Sequence, residues 1–234
     1  MADFVLVHGA WQGAWSWKKI LPGLWAAGHR AFPVSLTGTG ERAHQLPPDI
    51  KLRTHIDDVA AVVEAEELQN AILVGHSYGG MVITGLAGRM PQRIARLVYL
   101  DAVVPQPGES WSSTHPPQVQ EQRRQSIAST GSILPADPAM FGLIGEDAQW
   151  VARRQRPQPG GVYDDPLHFD PTRVVALPRT FIDCTAPALA TIAVMRERVR
   201  QQPGWQVVEI ATGHMPMVSE PEELLRLLLG MGTV

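Results

Sequence analysis

Ala71-Ile72-Leu73-Val74-Gly75-His76-Ser77-Tyr78-Gly79-Gly80 passes from four apolar residues to a serine set between glycines, and a helical run from Met81 to Arg89 follows at once. An unbroken apolar run of this length fits a strand covered on both faces, as in a parallel sheet. Glycine-x-serine-x-glycine between a strand and a helix is the pattern of a nucleophile elbow. The glycines have a steric purpose: the serine sits in a strained turn, and flanking residues without Cβ let strand and helix approach closely. The turn lifts the hydroxyl above the strand ends and aims a helix N-terminus at it, where developing negative charge is favoured.

Similar runs lie on either side, Phe4-Val5-Leu6-Val7 and Leu97-Val98-Tyr99-Leu100. Between them Ile56, Val59, Ala60 and Val63 follow the i, i+3, i+4, i+7 stripe of a helix with one buried face, and Thr54 with Asp57 reads as its capping box. Strand, helix, strand, helix predicts an α/β fold with a mostly parallel, doubly wound sheet. The rhythm then breaks: 11 of the 20 prolines fall between Pro105 and Pro178. No strand is expected there, and Arg156-Pro157-Gln158-Pro159-Gly160-Gly161 is expected to be irregular. Trp111, Phe141, Trp150 and Phe169 argue against disorder. The expectation is one domain over 1–234, with a core of 1–104 and 178–234 and a helical cap of 105–177. Through Trp111 and Trp150 the cap should shape substrate choice more than sheet integrity. Thr180 to Cys184 then reads as a strand, Leu189 to Gln202 as a helix, Trp205 to Ala211 as the last strand and Ser219 to Leu229 as a closing helix.

A chain of 234 residues can bury a core without metal or disulfide staples, and its one cysteine, Cys184, forms no bridge within the chain. Lys plus Arg total 20 against 23 Asp plus Glu, a net charge of −3, which gives nucleic acid or an anionic membrane no electrostatic reason to bind. The start, MADFVLVHGAW, lacks the basic region of a signal peptide, and no run of apolar residues is long enough to span a membrane, so a cytoplasmic location is expected. Thr37-Gly38-Thr39-Gly40 is not a dinucleotide fingerprint, and phosphate-loop and zinc-protease motifs are missing, so neither cofactor nor metal is expected.

A serine hydroxyl needs a base to take its proton. His214, in Ala211-Thr212-Gly213-His214-Met215-Pro216 after the last strand, holds the position for one. His76 is too close to Ser77 in the turn, and His8 belongs to the loop after the first strand. His29, His44, His55, His115 and His168 are expected at the surface. A tetrahedral intermediate also needs donors. The N–H of Tyr78, next to the serine, and that of Ala10, in His8-Gly9-Ala10-Trp11, are the candidates, with Trp11 bordering the site.

These residues resemble one branch of the α/β-hydrolase superfamily: plant methyl-ester esterases, the salicylate-binding esterase, the hydroxynitrile lyases and bacterial esterase relatives. The resemblance spans nearly the whole chain. It rests on Phe4 to Ala10 with Gly13-Ala14-Trp15-x-Trp17, on Leu36 to Arg42, on Gly75 to Gly80, and on Gly213-His214-Met215-Pro216-Met217. It implies an α/β-hydrolase fold with an inserted helical cap, Ser77 as nucleophile, His214 as base, and Ala10 and Tyr78 as oxyanion donors. One departure stands out: Cys184-Thr185-Ala186-Pro187 has proline where the family carries its triad aspartate. Asp101, at the end of the strand after the elbow helix, is the favoured substitute, because a triad acid is recognised by geometry; Asp183 is the alternative. The expected activity is serine-dependent hydrolysis of a small uncharged or aromatic carboxylic ester, with Trp11 and Trp111 touching the substrate. Two other readings share the scaffold, a cyanohydrin lyase and a non-catalytic ligand-binding module. Against the lyase, Gly9 and Met215 stand where lyases carry threonine and lysine.

Overall fold

Leu6 and Val7 on one strand, Val74 and Gly75 on the next, and Val98 and Tyr99 on a third lie side by side in register, all running the same way. They belong to a computed structural model that describes residues 1–45 and 49–232. The chain runs β1 (Asp3–Val7), α1 (Leu21–Ala26), β2 (Arg30–Val34), α2 (Leu52–Ala65), β3 (Ala71–His76), α3 (Gly79–Arg89) and β4 (Ile94–Leu100). It continues through α4 (Pro117–Thr130), β5 (Ser132–Ile133), α5 (Gly145–Ala152), β6 (Gln158–Pro159) and α6 (Pro171–Val175). It ends in β7 (Arg179–Cys184), α7 (Ala193–Gln201), β8 (Trp205–Ile210), α8 (Pro216–Ser219) and α9 (Pro221–Met231).

Six strands form a parallel sheet in the order β2-β1-β3-β4-β7-β8. Strands β3 and β7 are buried along their whole length, and β3 accordingly reads as a continuous apolar run, whereas β7 carries Arg179, Thr180 and Asp183 among its buried residues. The edge strand β2 has no such run and contains Pro33, paired with Leu6. An edge tolerates a residue without an N–H, because one side of the strand has no neighbour to bond. Strand order reverses at β1, and such a switch point opens a crevice beyond the C-terminal strand ends. Ala10, Ser77, Asp101 and His214 all lie just past those ends, after β1, β3, β4 and β8.

Local details correct the sequence reading. The α2 stripe is buried as expected, but the helix begins at Leu52 and the extended Lys51 precedes it. Thr54 is therefore in the first turn, where its hydroxyl accepts from the Lys51 N–H at 3.2 Å, and Asp57 takes no part in the cap. Residues 189–202 are a 3₁₀ turn (Ala190–Ile192) followed by α7, and the closing helix splits at Glu220, where Pro221 without an N–H starts α9. Between β4 and β7, where no strand was expected, Ile133 and Ser132 pair antiparallel with Gln158 and Pro159. Two residues per strand are too few to leave a periodic signal. Among the described residues no helix is long and apolar enough to cross a membrane.

Candidate active site

From Ala71 to Gly88 every residue is buried except Ser77. Its φ of +52° lies in the left-handed region, a strained place for a residue with a Cβ. Backbone bonds on both sides hold it there: its N–H donates to Leu100 O at 3.2 Å, and its carbonyl accepts from Gly80 N at 3.1 Å and Val103 N at 3.0 Å. A Cβ on Gly79 would lie 2.7 Å from Val7 O, and one on Gly80 1.9 Å from Val103 O. The glycines are thus required by the chain leaving β1 and β4, which closes on the start of α3.

His214 follows β8 and is buried, and its Nδ1 lies 2.6 Å from Asp101 Oδ2. Its N–H donates to Phe141 O at 3.0 Å and its carbonyl accepts from His76 Nε2 at 2.7 Å, so ring and backbone are both located. Asp101 follows β4 directly with φ +43° and is wholly buried. Its second oxygen accepts from Arg196 Nη2 at 2.7 Å. Asp183 reaches Arg196 with one oxygen and Arg200 Nη2, at 2.6 Å, with the other. Both its oxygens therefore face arginines, and the carboxylate within reach of His214 is that of Asp101. The Ser77 hydroxyl makes no hydrogen bond among the described residues; bonds of this kind often tighten only around substrate.

The loop after β1 lies directly against the elbow, since a Cβ on Gly9 would stand 2.9 Å from Ser77 Cβ. Neither the Ala10 nor the Tyr78 N–H donates to another described group. Three buried histidines hold these segments. His8 Nδ1 donates to Gly9 O at 2.7 Å while its Nε2 accepts from Leu36 N at 3.2 Å. His55, expected at the surface, donates through Nε2 to Thr37 O and accepts from the Tyr78 hydroxyl at Nδ1, each at 2.9 Å. Burial pushes both imidazoles down to about 4, and it pushes His76 well below the ordinary value, helped by His214 beside it.

Ser77 and His214 open on one cavity of about 70 Å³, walled by Trp11, Trp111, Phe141 and Arg123 among others. The Trp11 ring stacks on Phe141, with centroids 6.1 Å apart, and Trp111 packs on Tyr78 at 5.0 Å. His115, like His55 expected at the surface, is buried beside Trp111, whereas His44 and His168 are exposed. A polar residue's burial depends on distant partners, so no local pattern marks either buried histidine. Trp150 does not line the cavity and packs on Trp15 instead. Arg123, Phe141 and Arg196 were not singled out as site residues; only Arg123 left a local trace, a charge at the centre of the i, i+4, i+8 series Val119, Arg123, Ile127. Among the described residues no group of three His, Cys, Asp or Glu side chains is placed to hold a metal ion.

Residues 4–227 match the alpha/beta hydrolase family. A carbendazim hydrolyzing esterase from Nocardioides sp. (strain SG-4G) is 39% identical over 99% of this chain and 100% of its own. Methylesterase 3 of Arabidopsis thaliana is 28% identical over 96% of this chain and 94% of its own. Among solved structures, an extracellular alpha/beta-hydrolase from a Paenibacillus species superimposes over 100% of both chains with a TM-score of 0.88 at 22% identity, a likeness of fold.

Proposed function

The chain belongs to the alpha/beta hydrolase family and is a carboxylic ester hydrolase, and we propose that it works through an acyl-enzyme on Ser77. In this reading the Ser77 hydroxyl attacks the ester carbonyl and gives its proton to His214 Nε2. Asp101 holds the Nδ1 proton, which sets the tautomer and stabilises the imidazolium. The N–H groups of Ala10 and Tyr78 bind the oxygen of the tetrahedral intermediate. Collapse of that intermediate releases the alcohol, protonated by His214, and water activated by the same imidazole frees the acid and restores Ser77.

The observation that carries this reading is the exposure of Ser77 alone, in a buried stretch of eighteen residues, to a cavity shared with an imidazole tied to a buried carboxylate. The small aromatic-walled cavity favours a compact ester with a flat or apolar body, in contact with Trp11 and Trp111. We assign residues 105–177, which supply Trp111, Arg123 and Phe141 to that wall, the role of a cap that selects the substrate. Carbendazim, named for the 39%-identical relative, belongs in the substrate panel beside p-nitrophenyl and aryl methyl esters. Buried Met215 stands beside His214 where a lyase would need a cation, which counts against cyanohydrin cleavage. Ser77→Ala should lower kcat by roughly 10⁴-fold or more while leaving the melting transition in place. A purified mutant turning over esters near the wild-type rate would overturn the mechanism.

A further inference from the structure

The cavity at Ser77 is lined by aromatic, aliphatic and hydroxyl side chains and by one guanidinium, that of Arg123. Its helix, α4, has no fully buried residue, and Val119, Gln120, Arg123, Ser126 and Ile127 form the partly buried face. The centre of that face is where a surface helix ordinarily carries an apolar side chain. The guanidinium carbon lies 4.7 Å from the centre of the Trp111 ring, 5.4 Å from Trp11 and 5.5 Å from Tyr163. Cation–π contact of this kind offsets part of the cost of removing a charge from water. It engages ring faces and leaves the N–H edges of the fork in need of acceptors.

Those edges meet neutral acceptors, the His115 imidazole and the Tyr163 phenol, and no countercharge. Arg123 Nη1 donates to His115 Nε2 at 3.1 Å, and burial together with Arg123 itself pushes that imidazole down to about 3, so it accepts as a neutral ring and brings no countercharge. Among the described residues no carboxylate pairs with Arg123. The acids on neighbouring segments are engaged elsewhere, Asp164 by Arg124 and Glu109 by Arg198. Burial accordingly pushes the Arg123 guanidinium below its ordinary value. A partly buried cation with only neutral partners, lining the cavity of a reactive serine, is half of a recognition pair.

We propose that Arg123 is a substrate-recognition residue that donates to a hydrogen-bond acceptor, a carbonyl or a carboxylate, on the part of the ester remote from the scissile bond. The proposal rests on the ester-hydrolase reading of Ser77. It refines the aromatic pocket into one with a polar end, so that a substrate is selected by where its acceptor falls as well as by size.

Three methyl esters of similar shape test it: methyl isohexanoate, which has no remote acceptor, methyl levulinate, which ends in a ketone, and monomethyl succinate, which ends in a carboxylate. Charge-assisted hydrogen bonds predict that wild-type kcat/KM is roughly tenfold or more higher for at least one acceptor-bearing ester than for methyl isohexanoate. A preference for levulinate identifies a neutral carbonyl as the partner, and a preference for succinate a carboxylate. In Arg123→Met the ratio should collapse toward one, and in Arg123→Lys, which keeps the charge without the fork, it should be intermediate. If Arg123→Met does not fold, the wild-type and Arg123→Lys ratios decide. Equal wild-type rates on all three esters, or an unchanged ratio in a folded variant, would refute the subsite while leaving Ser77 hydrolysis standing. Turnover of p-nitrophenyl acetate but of none of the three would likewise refute the subsite, whereas failure on all four would remove the reading beneath it, and this one with it.

Discussion

Asp101 offers its two carboxylate oxygens to different partners, Oδ2 to His214 and Oδ1 to Arg196. Arg196 also holds Asp183, which in turn holds Arg200. The two aspartates therefore belong to one buried ion network but face different tasks. Asp101→Asn should keep the fold and lower kcat by roughly 10²- to 10⁴-fold, since an amide cannot hold the imidazole in the required tautomer as a carboxylate does. Asp183→Asn should change kcat less than tenfold and lower stability by about 3 kcal/mol, because it breaks a buried ion pair with one partner left in place. Steady-state kinetics with urea melts of the two variants provide the check, and the reverse ranking would move the acid to Asp183. Asp101 was legible because it follows an apolar run at a strand end. Arg196 was not, since nothing in α7 distinguishes it from Arg198 or Arg200 before the strands bring the two aspartates together.

The elements most legible in the sequence are those whose pattern follows from burial on both faces, such as β1, β3 and β4. Strand β2 escapes notice because Arg30 and Pro33 interrupt its apolar residues, and the pair β5/β6 because two residues per strand leave no periodicity. The elbow was legible because its glycines answer to contacts that no other residue satisfies. Gly80→Ala, whose methyl would meet Val103 O, should cost about 3 kcal/mol and remove activity, while Gly28→Ala has open space and bears only the strain of its φ of +78°. Trp111 differs from the sequence expectation: it is buried against Tyr78 of the elbow, so it belongs to the core as well as to the cavity. Trp111→Ala should cost about 3–5 kcal/mol and also alter KM across esters of graded size. Trp150→Ala, remote from the cavity beside Trp15, should leave that size profile unchanged.

At the scale of the molecule, the fold commits several buried imidazoles to the neutral state. His8 and His55 are pushed down to about 4 and His115 to about 3, with burial the main cause in each. Below the ordinary value of 6.5 the unfolded chain takes up protons that the folded chain refuses, so stability should fall as pH drops from 6.5 toward 4. Above 6.5 these groups add no slope. Each contributes up to about 1.4 kcal/mol per pH unit in that window. Urea midpoints across the range should show the decline, made shallower by His55→Gln; a flat profile would contradict the neutral-imidazole network. The central claim is a covalent intermediate on Ser77, and rapid-quench mass spectrometry of the intact protein during turnover of a p-nitrophenyl ester tests it most directly. The account predicts a mass increase equal to the acyl group, mapped by peptide digestion to Ser77 and missing from Ser77→Ala. Turnover with no acylated species in either, or acylation at another residue that persists in Ser77→Ala, would contradict it.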